Sequence, residues 1–593
     1  MAGDNNIVKS GSAFKSLLDR SAKGEKLSEK ELTNLSFEDR LWLIQRAPLN
    51  RKSQLIISSP DPIKLLKKLS PEEIYLTVKE SWGDDAAIIL EMTSAEKIIQ
   101  LLDMDIWKKD RVDFNRFLDW LQLVSEGGER ALMKSFMTLD PPLLVLFFKG
   151  IIEVESRDLD QDHLEFSDGG WNSFDYTYYF RPIRDELDFE GVSEVLSHIF
   201  EIEPEYYKIL MEGIKGEMPS PTEEEAYQLR SSRMSKIGFP EFYEAREILL
   251  YENPDKIIRE MRETLKKIIY RDEDQYDELP PQYWMIPMCR DGLLETLLNE
   301  IADSDRNNLI FWELSYLIHK LMAANGYDPS DIDELMSSTV MARDYINLGL
   351  EALTGGDLAS GRKIIHDAYL QRIFRLGYSI ALDLKKRGET LINRLDEELS
   401  VKLWDQKAQG IAVGLRKNRP YFYGDISGEG ETYRNFNSLK DIHSTDSFLA
   451  ETGHKISFIA ESLTIPFEVM PLLTRNAILW KWDFKHLFAT ALARNVLEGV
   501  WEVIPLSDIE LDELYGILRA KGKIPNEDIE GIEAFVKQCA VKYEDQWEKT
   551  ILTFIREVCE GIEREFLSID KKGTVDPRYI ETLITEEKLK RLA

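Results

Sequence analysis

The chain has 593 residues, 43% of them hydrophobic, enough for several units of about 100 to 200 residues or one extended helical array. Asp and Glu number 107 against 75 Lys and Arg, a formal net charge of −32, which opposes contact with phosphate backbones and anionic lipid and excludes nucleic acid as an expected partner. The three cysteines, Cys289, Cys539 and Cys559, form no CxxC pair or even-numbered framework, and Met1 to Ser10 is polar with no apolar h-region. Together these predict a protein of the reducing cytoplasm.

Gly and Pro concentrate between long periodic stretches, so the fold class expected is predominantly all-α. Residues 1–155 read as an array of short helices. Leu69-Ser70-Pro71-Glu72-Glu73 opens one, Met92-Thr93-Ser94-Ala95-Glu96 opens a second, and Leu139-Asp140-Pro141 opens a third. Each start combines a capping side chain with Pro at the first helical position or acids in the first turn, which satisfy orphan N–H groups and the helix dipole. Between them, Phe114, Phe117, Leu118, Leu121 and Val124 share one helical face. Short helices of this kind cannot bury their apolar faces alone, so they must stack into a superhelix. The most apolar stretch, Pro142 to Val154, is interrupted by Lys149 and falls short of the roughly 20 residues a spanning helix needs. No membrane insertion is expected.

With these helix starts, residues from about 57 to 154 resemble the superhelical intracellular amino-terminal domain of MgtE-type magnesium transporters and, more distantly, the flagellar switch protein FliG. The resemblance implies a stacked-helix fold there. No regulatory or transmembrane segment follows, so it implies neither transport nor metal sensing. Across its whole length the chain also resembles a bacterial family of large helical proteins of uncharacterised function.

Residues 156–190 form an acidic and aromatic insert. Asp168-Gly169-Gly170 stands between Leu164 to Ser167 and the β-prone Tyr176 to Phe180, which predicts a small β-hairpin. Trp171, Phe174, Tyr176, Tyr178, Tyr179, Phe180, Arg181 and Arg184 are the residue types that interface hot spots favour, and they make the candidate partner-binding set. The competing reading is a hairpin that packs on the helices beneath it. Asp158, Asp160 and Asp162 alternate as a calcium loop opens, but His163 replaces the turn glycine and Gly169 the bidentate Glu. A solvated acidic loop is the favoured reading.

Residues 191–280 read as a helical segment, with linkers at Gly216 to Thr222 and Arg271 to Pro281. Residues 281–418 read as a helical-repeat-like domain. Within it, Tyr345 to Leu370 is a helical hairpin turning at Gly355-Gly356-Asp357, resembling a tetratricopeptide-like unit without its Trp or later Pro. Gly356 and Gly361 imitate a phosphate loop, but no Lys-Ser/Thr pair follows and no strand precedes. Cys289 beside Arg290 could have a lowered thiol pKa, yet its Met- and Trp-rich surroundings favour a packing role.

Residues 419–441 form a glycine-rich loop whose Tyr421, Phe422, Tyr423, Asp425, Glu429 and Tyr433 are a second interaction candidate. Residues 442–593 form a helical domain. In it Ile529, Ile532, Val536, Cys539, Tyr543, Trp547, Phe554, Val558, Ile562 and Phe566 make one stripe, predicting a single helix over 526–567, on the order of 50 Å long. Cys539 and Cys559 on that stripe are expected in the core. The seven histidines contain no HExxH and no paired ExxH; Asp160 with His163 and Asp483 with His486 come nearest. No catalytic residue, metal or cofactor is therefore assigned.

The expected function is a non-enzymatic helical scaffold that binds another protein through a concave helical face and the aromatic insert. The alternative is an enzyme or a small-molecule or metal-responsive regulator whose site is assembled from distant residues between helices. The first needs an exposed apolar surface, the second an enclosed place where titratable groups converge.

Overall fold

Serine and proline decide where the short helices begin. The side chains of Ser36, Ser70 and Ser94 accept the backbone N–H of Asp39, Glu73 and Lys97, capping helices Phe37–Arg46, Pro71–Glu80 and Ala95–Asp105. Pro62, Pro71 and Pro141 stand in the first turn of helices Pro62–Lys68, Pro71–Glu80 and Pro141–Lys149, where a missing N–H costs nothing. The computed structural model describes residues 17, 20, 27–127, 139–157, 170–183, 189–216, 219–264, 278–281, 292–302, 308–540, 545–569 and 575–590. Those residues hold 27 α-helices and three two-stranded antiparallel sheets, a predominantly all-α fold. No described helix is long and apolar enough to cross a membrane. The chain divides into two compact units, Met1–Arg375 and Leu376–Ala593.

In the first unit, helices of about ten residues are marginal alone and gain stability by packing. Helix Leu49–Ile57 lies against Pro71–Glu80 and Asp84–Met92, Pro71–Glu80 against Ala95–Asp105, and Asp84–Met92 against Phe114–Glu126. Ile74, Tyr75, Val78, Ile89, Leu101, Phe117 and Trp120 are buried between them. On helix Phe114–Glu126 the expected face is buried at Phe117, Leu121 and Val124, whereas Phe114 stays partly exposed.

Leu164 to Ser167, expected as the first strand of the insert's hairpin, lie outside the described residues; Tyr178–Pro182 pairs with Ile152–Ser156, Val154 opposite Phe180. The apolar stretch Pro142 to Val154 is thus a helix ending at Lys149 and the start of a strand. Ile152 and Val154, alternating with Glu153 and Glu155, carry a period of two that the preceding apolar run conceals. Pro219 and Pro221, placed in a linker by composition, fall in the first turn of helix Pro219–Lys236.

The hairpin at Gly355-Gly356-Asp357 joins helices Ile332–Thr354 and Leu358–Asp367. Gly355 and Gly356 take φ of 63° and 90°, and Asp357 accepts the Ser360 N–H at 2.8 Å. Gly361 packs against Leu297, where a Cβ would stand 3.0 Å from its Cδ1. This glycine serves helix packing.

In the second unit, the single helix expected over 526–567 is two helices, Asn526–Ala540 and Asp545–Ser568, packed on one another. They run antiparallel, because Ile524 N–H bonds the Glu563 carboxylate at 2.8 Å while Glu533 faces Arg556 at 3.8 Å. Trp547, Ile551, Phe554, Ile555 and Ile562 fill the core of this unit. Around them Phe554 meets Phe484 and Phe488, and Trp547 meets Phe458.

Candidate functional site

The aromatic insert divides into a buried half and a surface half. Tyr178, Tyr179 and Phe180 are buried. Phe174, half-buried, packs on Phe180 at 5.2 Å and on Phe200 and Tyr207 at 6.1 Å between ring centroids. The Tyr178 hydroxyl donates to Glu212 at 2.6 Å, and burial with that carboxylate pushes the phenol up to about 12. At the surface, the Arg181 guanidinium lies 4.5 Å over the Trp171 ring while bonding Glu153 at 2.7 and 2.9 Å. Tyr176 projects outward from a backbone with φ of 55°. Arg184, Asp158, Asp160, Asp162, His163 and Gly169 lie outside the described residues, as does Cys289.

The glycine-rich segment is an ordered hairpin, Phe422–Tyr423 paired with Tyr433–Arg434. Its centre is Arg434, which bonds Glu429 at 2.8 and 3.0 Å and Asp441 at 2.7 and 3.1 Å while its guanidinium lies 4.3 Å over Phe422. Lys417 lies 4.2 Å over the Tyr433 ring, and Arg419 donates to the Tyr421 hydroxyl at 2.6 Å. Cations and aromatics of this hairpin engage one another.

Two further clusters of titratable groups lie in the first unit. Asp105, buried, accepts Trp120 Nε1 at 2.6 Å and Lys79 Nζ at 3.0 Å. Arg116 donates to the Asp105 carbonyl at 2.9 Å, to Asp328 at 3.3 Å and to the Ser330 hydroxyl at 2.9 Å. Nearby, Asp103 is fully buried and gripped by Arg233 at 2.5 and 3.0 Å, and Arg233 also meets Asp140 at 2.7 Å. Every carboxylate in these knots is paired with a cation, Arg233 serving both Asp103 and Asp140 and Arg116 both Asp105 and Asp328, which is the arrangement of a structural tie.

Among the described residues, no group of three or more His, Cys, Asp and Glu is placed to hold a metal ion. Asp483 and His486 form a helix cap instead: the Asp483 carboxylate accepts the Lys485 N–H, and the Asp483 N–H bonds His486 Nδ1 at 3.1 Å. Cys559 is buried, and burial pushes its thiol up to about 12, away from a reactive thiolate.

One surface was missed by sequence reasoning. Helix Val469–Trp480 buries Leu473, Asn476 and Ala477 and turns Pro471, Leu472, Arg475, Ile478 and Leu479 outward. Phe467, in the preceding turn, extends that face. The positions i, i+4, i+8 and i+11 from Phe467 trace one side of a helix. Because Leu473 and Ala477 are also apolar, composition gives no sign of which side is buried.

These elements define a predominantly all-α protein. The chain belongs to a family of unknown function, DUF6178, whose model matches residues 29–586. No curated protein and no solved structure matches it significantly.

Proposed function

We propose that the chain is a helical scaffold that binds another protein. The observation that carries this reading is the outer face of helix Val469–Trp480, where Phe467, Ile478 and Leu479 are 88%, 74% and 57% exposed. Large apolar side chains gathered on one helix face mark interaction surfaces, because leaving them in water costs free energy that a partner recovers. The surface half of the aromatic insert, Trp171, Tyr176 and Arg181, supplies a second surface of the composition hot spots favour. The short helices within 57–154, like the MgtE-type domain they resemble, offer the extended kind of surface that suits protein partners. The acidic, cysteine-poor composition favours the cytoplasm as the place of action. An assembled catalytic site draws less support, since the carboxylates converging near Asp105 are matched by Lys79 and Arg116.

The test compares full-length wild type with the Ile478→Glu/Leu479→Glu variant as bait in native-cell extract, with circular dichroism to verify the fold. The expected result is a stoichiometric partner whose retention by the variant falls about tenfold or more, the loss typical of a hot spot. Equal capture by both baits overturns the proposal.

A further inference from the structure

Four residues, Glu278-Leu279-Pro280-Pro281, lie against the amino-terminal helices although 180 or more positions separate them from the residues that hold them. The Leu279 N–H donates to the Lys68 carbonyl at 2.8 Å, and Gln45 Nε2 donates to the Pro280 carbonyl at 2.9 Å. Both prolines are buried. The Glu278 carboxylate meets Lys97 Nζ at 2.8 Å. Lys97 is itself built into the site: it is nearly buried, and its ammonium caps the end of helix Pro62–Lys68 by donating to the carbonyls of Leu66, Lys67 and Leu69 at 2.9, 2.9 and 2.5 Å.

We infer that this face of the amino-terminal helices is a peptide-binding groove for an extended acidic-Leu-Pro-Pro segment, occupied in the folded chain by its own Glu278–Pro281, and that a partner protein carrying such a segment binds by displacing it. The features are those of extended-peptide recognition. A Pro pair holds φ near −65° and so loses little freedom on docking. Side-chain and main-chain groups read the peptide backbone on either side of Leu279, and one charge fixes direction and register. A carboxylate suits this position because burial disfavours the Lys97 ammonium and the facing Glu278 carboxylate favours it.

The flanking carboxyl groups sharpen the selectivity. Glu72 is buried, and burial together with the charges of Glu278 and Glu73 outweighs its bonds to Ser70 and its own backbone and pushes it up to about 7. Glu73 is neutralised by Lys52. Glu278 is the carboxylate in contact with Lys97, and a peptide lacking an acid at that place would leave the ammonium with the helix-end carbonyls and the charge of the neighbouring Glu72 alone. An acidic segment of a partner fits the groove where a basic or neutral one does not.

The cis segment competes with any partner at the high effective concentration of a tethered ligand, so wild type should bind a free peptide weakly. The probe is a fluorescein-labelled Asp-Glu-Leu-Pro-Pro-Gln peptide, the sequence of residues 277–282, titrated by anisotropy into full-length wild type and into Glu278→Lys. The expected result is about tenfold or more tighter binding by Glu278→Lys, since the tethered competitor has been weakened. Adding Gln45→Ala to that variant should weaken binding again, and a probe with Lys in place of Glu should not bind. A variant that misfolds is replaced by Pro280→Ala/Pro281→Ala, while the Lys-substituted probe remains a control independent of folding. Equal binding by wild type and Glu278→Lys, or no binding by either, overturns the inference and leaves the segment a structural splint. A wild-type dimer that Glu278→Lys dissociates also overturns it, the groove then serving a second copy of this chain.

Discussion

Lys52 and Glu73 form an ion pair on facing short helices whose side chains are only 2% and 1% exposed, and Lys52 Nζ also donates to the Gln45 carbonyl at 3.1 Å. A pair so deeply buried couples helix Leu49–Ile57 to Pro71–Glu80 through charge as well as packing. Its worth lies in being complete, because either charge alone would be stranded away from water. Lys52→Met or Glu73→Leu alone should destabilise the first unit by about 3 to 5 kcal/mol. The double variant should be much closer to wild type than the sum of the two. Denaturant melts of all four proteins, followed by a probe in the first unit, check the non-additivity, and additive losses would refute it.

Glu72, the neighbour of Glu73, imposes a pH dependence of definite sign. Its carboxyl is raised from 4.5 to about 7, chiefly by burial, so between those values the folded chain holds a proton that the unfolded chain has released. Stability is then full below about pH 4.5 and falls as pH rises to 7, by about 3 kcal/mol in total. The charges in its surroundings, Glu73, Lys97 and Glu278, set how much of that is felt. Glu72→Gln should raise the melting temperature at pH 8 and change little at pH 4.5. A variant with the same shift at both values would contradict this account.

His319 acts in the opposite direction. It is buried, stacked on Phe239 at 4.1 Å between ring centroids, and its Nδ1 lies 2.7 Å from the Ile237 carbonyl. Burial lowers the imidazole from 6.5 to about 4, so it is neutral in the folded chain across a range where the unfolded chain binds a proton. Its contribution is full above about pH 6.5 and is lost as pH falls to 4, again by about 3 kcal/mol. Over pH 4.5 to 6.5 the slopes of Glu72 and His319 therefore oppose one another. His319→Phe, which keeps the stack, should make the chain less sensitive to acid, as melts at pH 5 and pH 7 would show.

Local chemistry made parts of this fold legible. The starts at Ser70-Pro71 and Ser94 could be read because a cap satisfies its own helix and needs no distant partner. The turn at Gly355-Gly356-Asp357 was legible for the same reason. Periodicity failed at 526–567, since two stripes facing each other across a chain reversal carry the same spacing as one long stripe. The docking of Pro280 on Gln45 was not legible, because 235 positions separate them and neither lies in a local pattern. In the insert, composition identified Tyr178 and Phe180 as notable but not that they face inward, which depends on Phe200, Tyr207 and the helices that carry them.

Two glycines in the second unit should respond to the same substitution with opposite signs. A Cβ at Gly410, on helix Gln406–Arg416, would stand 2.5 Å from the Tyr423 ring, and the Gly410 carbonyl accepts the Tyr433 hydroxyl at 3.1 Å. Tyr423 is pinned on its other side by Tyr433 at 5.4 Å between centroids, so the ring cannot yield without moving the hairpin. Gly410→Ala should therefore cost about 1 to 3 kcal/mol, the usual penalty of overpacking. At Gly453, in helix Leu439–Ser462, the nearest atom to an added Cβ is Leu395 Cδ1 at 3.7 Å, ordinary contact. There the gain in helix propensity is unopposed, and Gly453→Ala should stabilise by up to about 1 kcal/mol. Hydrogen exchange supplies a separate check: Gly410→Ala should accelerate exchange at Phe422 to Arg434, where Arg434 bridges Glu429 and Asp441, whereas Gly453→Ala should leave those amides unchanged.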